Sequence, residues 1–122
     1  MITITFFAKE IEQNVKVNLE SVTGFRIEGH AGYAKHGKDI VCASVSTVMQ
    51  STLLGIQQVC KVDVNLIRND DKGYIKVDIL QRMTNEQQIQ VKTLLDTLYL
   101  TIQDLQEGYS KYISMEVIEN VY

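Results

Sequence analysis

Apolar residues recur along this chain with two different periods, and the switching between them restricts the fold more than any other feature. Ile2, Ile4 and Phe6 alternate with Thr3, Thr5 and Phe7, the two-residue period of a strand rich in β-branched side chains. After a polar turn over 9–14, Val15, Val17 and Leu19 alternate with Lys16 and Asn18. Phe25 and Ile27 then alternate with Arg26 and Glu28, with Gly24 marking a bulge and Gly29 closing the run. Beyond residue 39 the period lengthens. Val41, Val45, Val48, Met49, Leu53 and Ile56 follow the helical spacing, with Ser44, Thr47, Ser51 and Gln58 on the remaining side.

Val62, Val64 and Leu66 return to alternation, and the polar turn NDDKG separates them from Ile75, Val77 and Ile79, which predicts a hairpin. Thr84 with Gln87 forms a capping box ahead of a second helical stripe, Val91, Leu94, Leu95, Leu98, Ile102 and Leu105, and Gly108 is the expected stop. Ile113, Met115 and Val117 make a last strand. Each helix has one apolar face, and stacking both on a sheet buries them. The fold class expected is therefore α+β, a mainly antiparallel sheet with two amphipathic helices packed on it, in a single domain over 1–122.

With 122 residues the chain is long enough to bury a core without metal or disulfide support. A net charge of −3 and the lack of a basic cluster argue against a nucleic-acid or anionic-membrane partner. The opening MITITFF is too short and too interrupted by threonine for a signal peptide, and the apolar runs read as shorter than a membrane span, so a cytoplasmic location is expected. If 40–59 is one helix, Cys42 and Cys60 are roughly 25 Å apart against a disulfide limit of about 7 Å, so they are two separate thiols.

The chemistry is concentrated in Gly29 to Ser46, GHAGYAKHGKDIVCASVS, which holds both histidines and one of the cysteines. A loop built around Gly32 and Gly37 separates His30, at a strand end, from Asp39 and the helix start. Cys42 then falls on the opening turn, where backbone N–H groups lack intrahelical partners and the helix dipole favours an anion. A thiol there tends toward thiolate, the nucleophilic form. His30, with the loop folded back, pairs with it and protonates a leaving amine. The N–H groups near Cys42 and Ala43 are candidates to face the oxyanion of a tetrahedral intermediate. Position alone leaves Cys42 open between a nucleophile and a small packing residue.

At these residues the sequence resembles a known family, the ribosomal-processing cysteine proteases called Prp. The family pattern is GHA, a short glycine-containing mobile loop, then G-x-D-I-V-C-A-x-x-S. Here it reads Gly29-His30-Ala31, then Gly37-Lys38-Asp39-Ile40-Val41-Cys42-Ala43, then Ser46, with the family's step of twelve positions from His30 to Cys42. The N-terminal hairpin region is longer than in that pattern. The resemblance implies a cysteine endopeptidase with Cys42 as nucleophile and His30 as its partner, working without a cofactor. Its substrate would be a large-subunit ribosomal protein precursor, number twenty-seven, which loses a short N-terminal extension ending in paired phenylalanines before alanine. The family is dimeric, so a homodimer is expected. The alternative from another class is a non-catalytic ribosome-associated binding module on the same fold.

The other residues divide as follows. His36 lies mid-loop, where a solvated side chain is the ordinary state, so His30 is preferred. Asp39 either caps the helix through the N–H of Val41 or Cys42 or orients the imidazole, and capping is favoured. Ser46, one turn after Cys42, either donates to the sulfur or back-bonds to the carbonyl four residues earlier. Gly29, Gly32 and Gly37 read as permissive positions in a loop that moves over a substrate. Cys60, between Val59 and Val62, reads as core. His30, His36, Cys42 and Cys60 lack the close pairs that build zinc sites, so no metal is expected. The chain's own start, with Phe6-Phe7-Ala8, looks like the family's cleaved segment. An ordinary strand is its favoured reading, substrate mimicry the other.

Overall fold

A computed structural model describes residues 1–8, 22–30, 39–79 and 82–118. The strand expected at Val15–Leu19 lies outside these residues. The described elements are β1 (Ile2–Ala8), β2 (Val22–Glu28), α1 (Ile40–Leu54), β3 (Val64–Asn69), β4 (Tyr74–Ile79), α2 (Asn85–Gly108) and β5 (Ile113–Ile118), with a π-helical turn at Gly55–Val59 continuing α1. The strands form one five-stranded sheet in the order β3-β4-β2-β1-β5. Three of its pairings are antiparallel, and β1 with β5 is parallel. A parallel neighbour needs a long crossover, which α2 supplies by running back along the sheet between β4 and β5. The α+β class with two helices on a mainly antiparallel sheet is thus the observed one.

The alternation in the strands sorts the sheet into two faces. Ile2, Ile4, Phe6, Phe25, Ile27, Val77 and Ile113 point into one cluster with Val41, Val45, Met49 and Ile56 of the first helix and Val91, Leu95, Leu98 and Ile102 of the second. On the opposite face Thr5 donates to Glu116 at 2.9 Å, and the charged ends of Arg26 and Lys76 stand 5.2 and 5.3 Å from the Phe7 ring centroid. The bulge lies one residue from where Gly24 suggested. Phe7 pairs with Gly24 but Ala8 with Val22, so Thr23 is the extra residue. Gly24 is needed instead for close approach, because a Cβ there would stand 2.4 Å from the Val77 carbonyl oxygen of the neighbouring strand.

The first helix carries no charged residue from Ile40 to Val59. Contrary to the sequence reading, this stretch is by length and composition apolar enough to cross a membrane. Val41, Val45, Met49 and Ile56 of this stretch pack into the core, whereas Ile40, Leu54 and Val59 are exposed. Where the two helices cross, a Cβ on Gly55 would come within 2.8 Å of Leu94, and the hydrogen bonding relaxes to π, with Cys60 N–H on the Gly55 carbonyl at 2.9 Å. Thr84 and Gln87 form the expected capping box, and α2 ends at Gly108. β3 is an edge strand. Its alternation is real, but Leu66 stays 39% exposed because the helices do not reach over the edge.

Candidate active site

β2 ends, α1 begins and the β3–β4 hairpin turns at the same end of the sheet. Asp39 sets where the helix starts. Its extended backbone (φ −81°, ψ 101°) places the carboxylate under the first turn, and Oδ1 accepts from the N–H of both Val41 and Cys42 at 3.0 Å. Cys42 is the third helical residue and half-buried. Asp39 is buried, and its carboxylate caps the helix in the manner favoured from sequence.

The same bonds correct one expectation. The N–H groups of Cys42 and Ala43 are not left over for an oxyanion, because the first is held by the Asp39 carboxylate and the second donates to the Asp39 carbonyl at 3.0 Å. A good N-cap fills the donors that a bare helix start would have offered.

His30 follows Glu28 and Gly29 at the end of β2 and is exposed. Gly29 adopts φ +93°, and a Cβ there would stand 2.5 Å from the Met1 carbonyl oxygen, so glycine is required for the backbone turn out of the strand. The Met1 nitrogen donates to the His30 carbonyl at 2.7 Å, which ties the histidine to the start of β1. His30, Cys42, Asp39, Ser46 and Gly29 line one cleft of about 540 Å³. The residues singled out in sequence on both sides of the loop are therefore brought together. Gly32, His36 and Gly37 lie outside the described residues. Ser46 shares the cleft with Cys42, whereas Ser44, Thr47 and Thr52 are the α1 hydroxyls that back-bond, to the carbonyls of Ile40, Ala43 and Val48.

The cleft's far wall was not read from sequence. Arg68, Asp70, Gly73 and Tyr74 come from the β3–β4 hairpin, and Gln50 from α1. Gln50 follows Cys42 and Ser46 at intervals of four and shares their helix face, a signal the spacing held. The hairpin residues gave no such signal. The β2–β4 pairing, Ile27 opposite Ile75, carries their turn to the end of β2 where His30 sits.

Asp39 supports a prediction with two arms. Asparagine keeps an accepting oxygen at the cap but removes the negative charge beneath Cys42, so Asp39→Asn should alkylate faster with iodoacetamide at neutral pH. Asp39→Ala loses the cap and about 1 kcal/mol of stability, read as a lower thermal midpoint. Slower alkylation of Asp39→Asn would move Asp39 from capping to the imidazole-orienting role.

Cys60 behaves as expected of a core residue. It is 5% exposed, and burial pushes its thiol above the ordinary 9.0. The unfolded chain therefore loses this proton at lower pH than the folded chain. The contribution is complete below about pH 9 and is lost as pH rises from there through the raised folded value. Urea midpoints of the parent should fall more steeply above pH 9 than those of Cys60→Ala, and parallel curves would count against this.

Comparisons with known proteins identify the family and the fold. The family model described as Cysteine protease Prp matches residues 1–114. The ribosomal processing cysteine protease Prp of Staphylococcus aureus is 26% identical over 106 residues, covering 86% of this chain and 96% of that protein. The Bacillus subtilis protein of the same name is 22% identical over 90 residues, covering 74% and 80%. Among solved structures, S. aureus Prp with a covalently linked product peptide superimposes with a TM-score of 0.77 at 24% identity, covering 97% of this chain and all of that one. A Streptococcus mutans protein does so with a TM-score of 0.73 at 24% identity, covering 98% and 95%. The structural likenesses speak to the fold. The family match spans both halves of the cleft, from the strand end at His30 to the helix start at Cys42, and the chain belongs to the cysteine protease Prp family.

Proposed function

We propose that this chain is a cysteine endopeptidase acting in ribosomal protein maturation, with Cys42 as nucleophile and His30 as general acid and base. The observation that carries the reading is the capped helix start that presents Cys42 to the cleft His30 enters. In the first step the Cys42 thiolate attacks the peptide carbonyl, and His30 delivers its proton to the departing amine. Water then attacks the thioester, passing a proton to His30, and the acid leaves with the thiolate restored. Asp39 fixes where the sulfur stands, and the Ser46 hydroxyl, which lines the same cleft one turn along, is proposed to donate to it.

The substrate in this reading is the precursor of large-subunit ribosomal protein twenty-seven, cut after an apolar N-terminal extension in the cytoplasm by a homodimer. The S. aureus relative crystallised with substrate and product peptides supports a peptide as the ligand of the cleft. The test is incubation with a peptide spanning the junction, with products identified by mass spectrometry. The parent should give one cut before alanine, and His30→Ala and Cys42→Ala should give far less of it. Equal cleavage by all three would remove the peptidase assignment. A parent that neither cuts nor alkylates at Cys42 near neutral pH would favour the non-catalytic ribosome-associated module.

A further inference from the structure

The β3–β4 turn is built against the residue proposed as the general base. Its backbone is closed by Gly73 N–H on the Asp70 carbonyl at 3.2 Å and by Lys72 N–H on the Asn69 side-chain oxygen at 3.2 Å. Arg68 Nε bonds the Asp70 carboxylate at 2.7 Å. Gly73, at φ +60°, is the point of contact. A Cβ there would stand 2.5 Å from the Gly29 carbonyl oxygen and 3.1 Å from His30 Cε1. Within this packing His30 Nε2 lies 3.4 Å from the Asp71 carbonyl oxygen.

A carbonyl accepts and never donates, so this contact is a hydrogen bond only when Nε2 carries the proton. We propose that the backbone carbonyl of Asp71 is the group that orients His30, holding the proton on Nε2 so that Nδ1 is the nitrogen that trades protons with Cys42. The turn thereby does with main chain what a third polar side chain does in other cysteine or serine hydrolases. Nε2–H stays on the carbonyl through the cycle. Nδ1 takes the thiol proton, and the resulting imidazolium still donates to Asp71. Nδ1 then passes its proton to the leaving amine, and the ring returns to the neutral Nε2–H tautomer. Gly73 and Asn69 are positioning residues, acting only through where they set the carbonyl.

This inference rests on the proposed peptidase reading, but its test also has a readout independent of activity. Nitrogen-15 spectra of histidine-labelled protein above the imidazole titration should show neutral His30 protonated at Nε2. Gly73→Ala should lower kcat by between about tenfold and about a hundredfold with little change in KM. In the same spectra the share of neutral His30 protonated at Nε2 should fall in Gly73→Ala, because Nε2–H has lost its acceptor. Asn69→Ala, which frees one N–H of the turn without a new side-chain clash, should show the same tautomer shift with a smaller drop in kcat. Lys72→Ala, trimming an exposed side chain of the same turn, should match the parent. Neutral His30 protonated at Nδ1, or a folded Gly73→Ala with the parent's kcat and tautomer ratio, would overturn the proposal. A parent without peptidase activity whose His30 is nonetheless the Nε2–H tautomer would sink the peptidase reading and leave the orientation standing.

Discussion

Cys42→Ala should lower peptide hydrolysis by roughly 10⁴-fold or more, while His30→Ala should cost on the order of 10²- to 10⁴-fold. The difference follows from what each side chain supplies. Without the sulfur no thioester forms, and only substrate binding in the cleft remains. Without the imidazole the sulfur still attacks, more slowly because solvent must take its proton, and protonation of the leaving amine is left to water. Cys42→Ser should resemble Cys42→Ala, because a serine hydroxyl at the same place stays protonated. Cys60→Ala should keep the parent's rate within about twofold, since that thiol is buried in the core. Single-turnover assays with alkylation counts make the check: one thiol should react in the native protein and two in denaturant. A Cys42→Ala protein retaining a tenth of the activity would take the nucleophile away from this residue.

Much of this site was legible because its two decisive positions are tied to local rules. A cap three residues ahead of a thiol is visible in Asp39 and Cys42 alone, and the structure forms both bonds that the spacing allows. His30 was legible as a strand-end residue because the alternation of Phe25 and Ile27 stops at Gly29. The oxyanion expectation failed at the same place for a related reason. Reading a helix start as a row of unfilled donors overlooked that a cap strong enough to fix Cys42 also consumes its N–H. The hairpin wall of the cleft, with Arg68, Asp70 and Gly73, was not legible. A turn such as NDDKG announces that the chain reverses, but not what it reverses against. That is decided by register between β2 and β4, more than forty residues apart in sequence. Nor did periodicity reveal that β5 runs parallel to β1, since alternation is the same in either direction.

Phe6→Ala should cost about 3–5 kcal/mol and lower the thermal midpoint on the order of 10–20 °C, a large share of the stability of a domain this size. Phe6 is fully buried. It lies opposite Phe25 on one side and Val117 on the other, and its ring meets Tyr99 with centroids 5.6 Å apart. Truncation would leave a cavity between sheet and α2 that backbone fixed by two neighbouring strands cannot close. Phe7→Ala should cost less, because its ring lies on the opposite face beneath Arg26 and Lys76. The contrast decides the standing of the Phe6-Phe7-Ala8 segment. To be cut as a substrate it must reach Cys42 in extended form, which requires withdrawing β1 from both β2 and β5 and emptying the core of Ile4 and Phe6. That amounts to unfolding the sheet, so the segment serves as an interior strand. The N-terminus of purified parent protein should be as intact by mass spectrometry as that of Cys42→Ala. Loss of seven residues from the parent alone would show that β1 leaves the sheet far more readily than its packing allows.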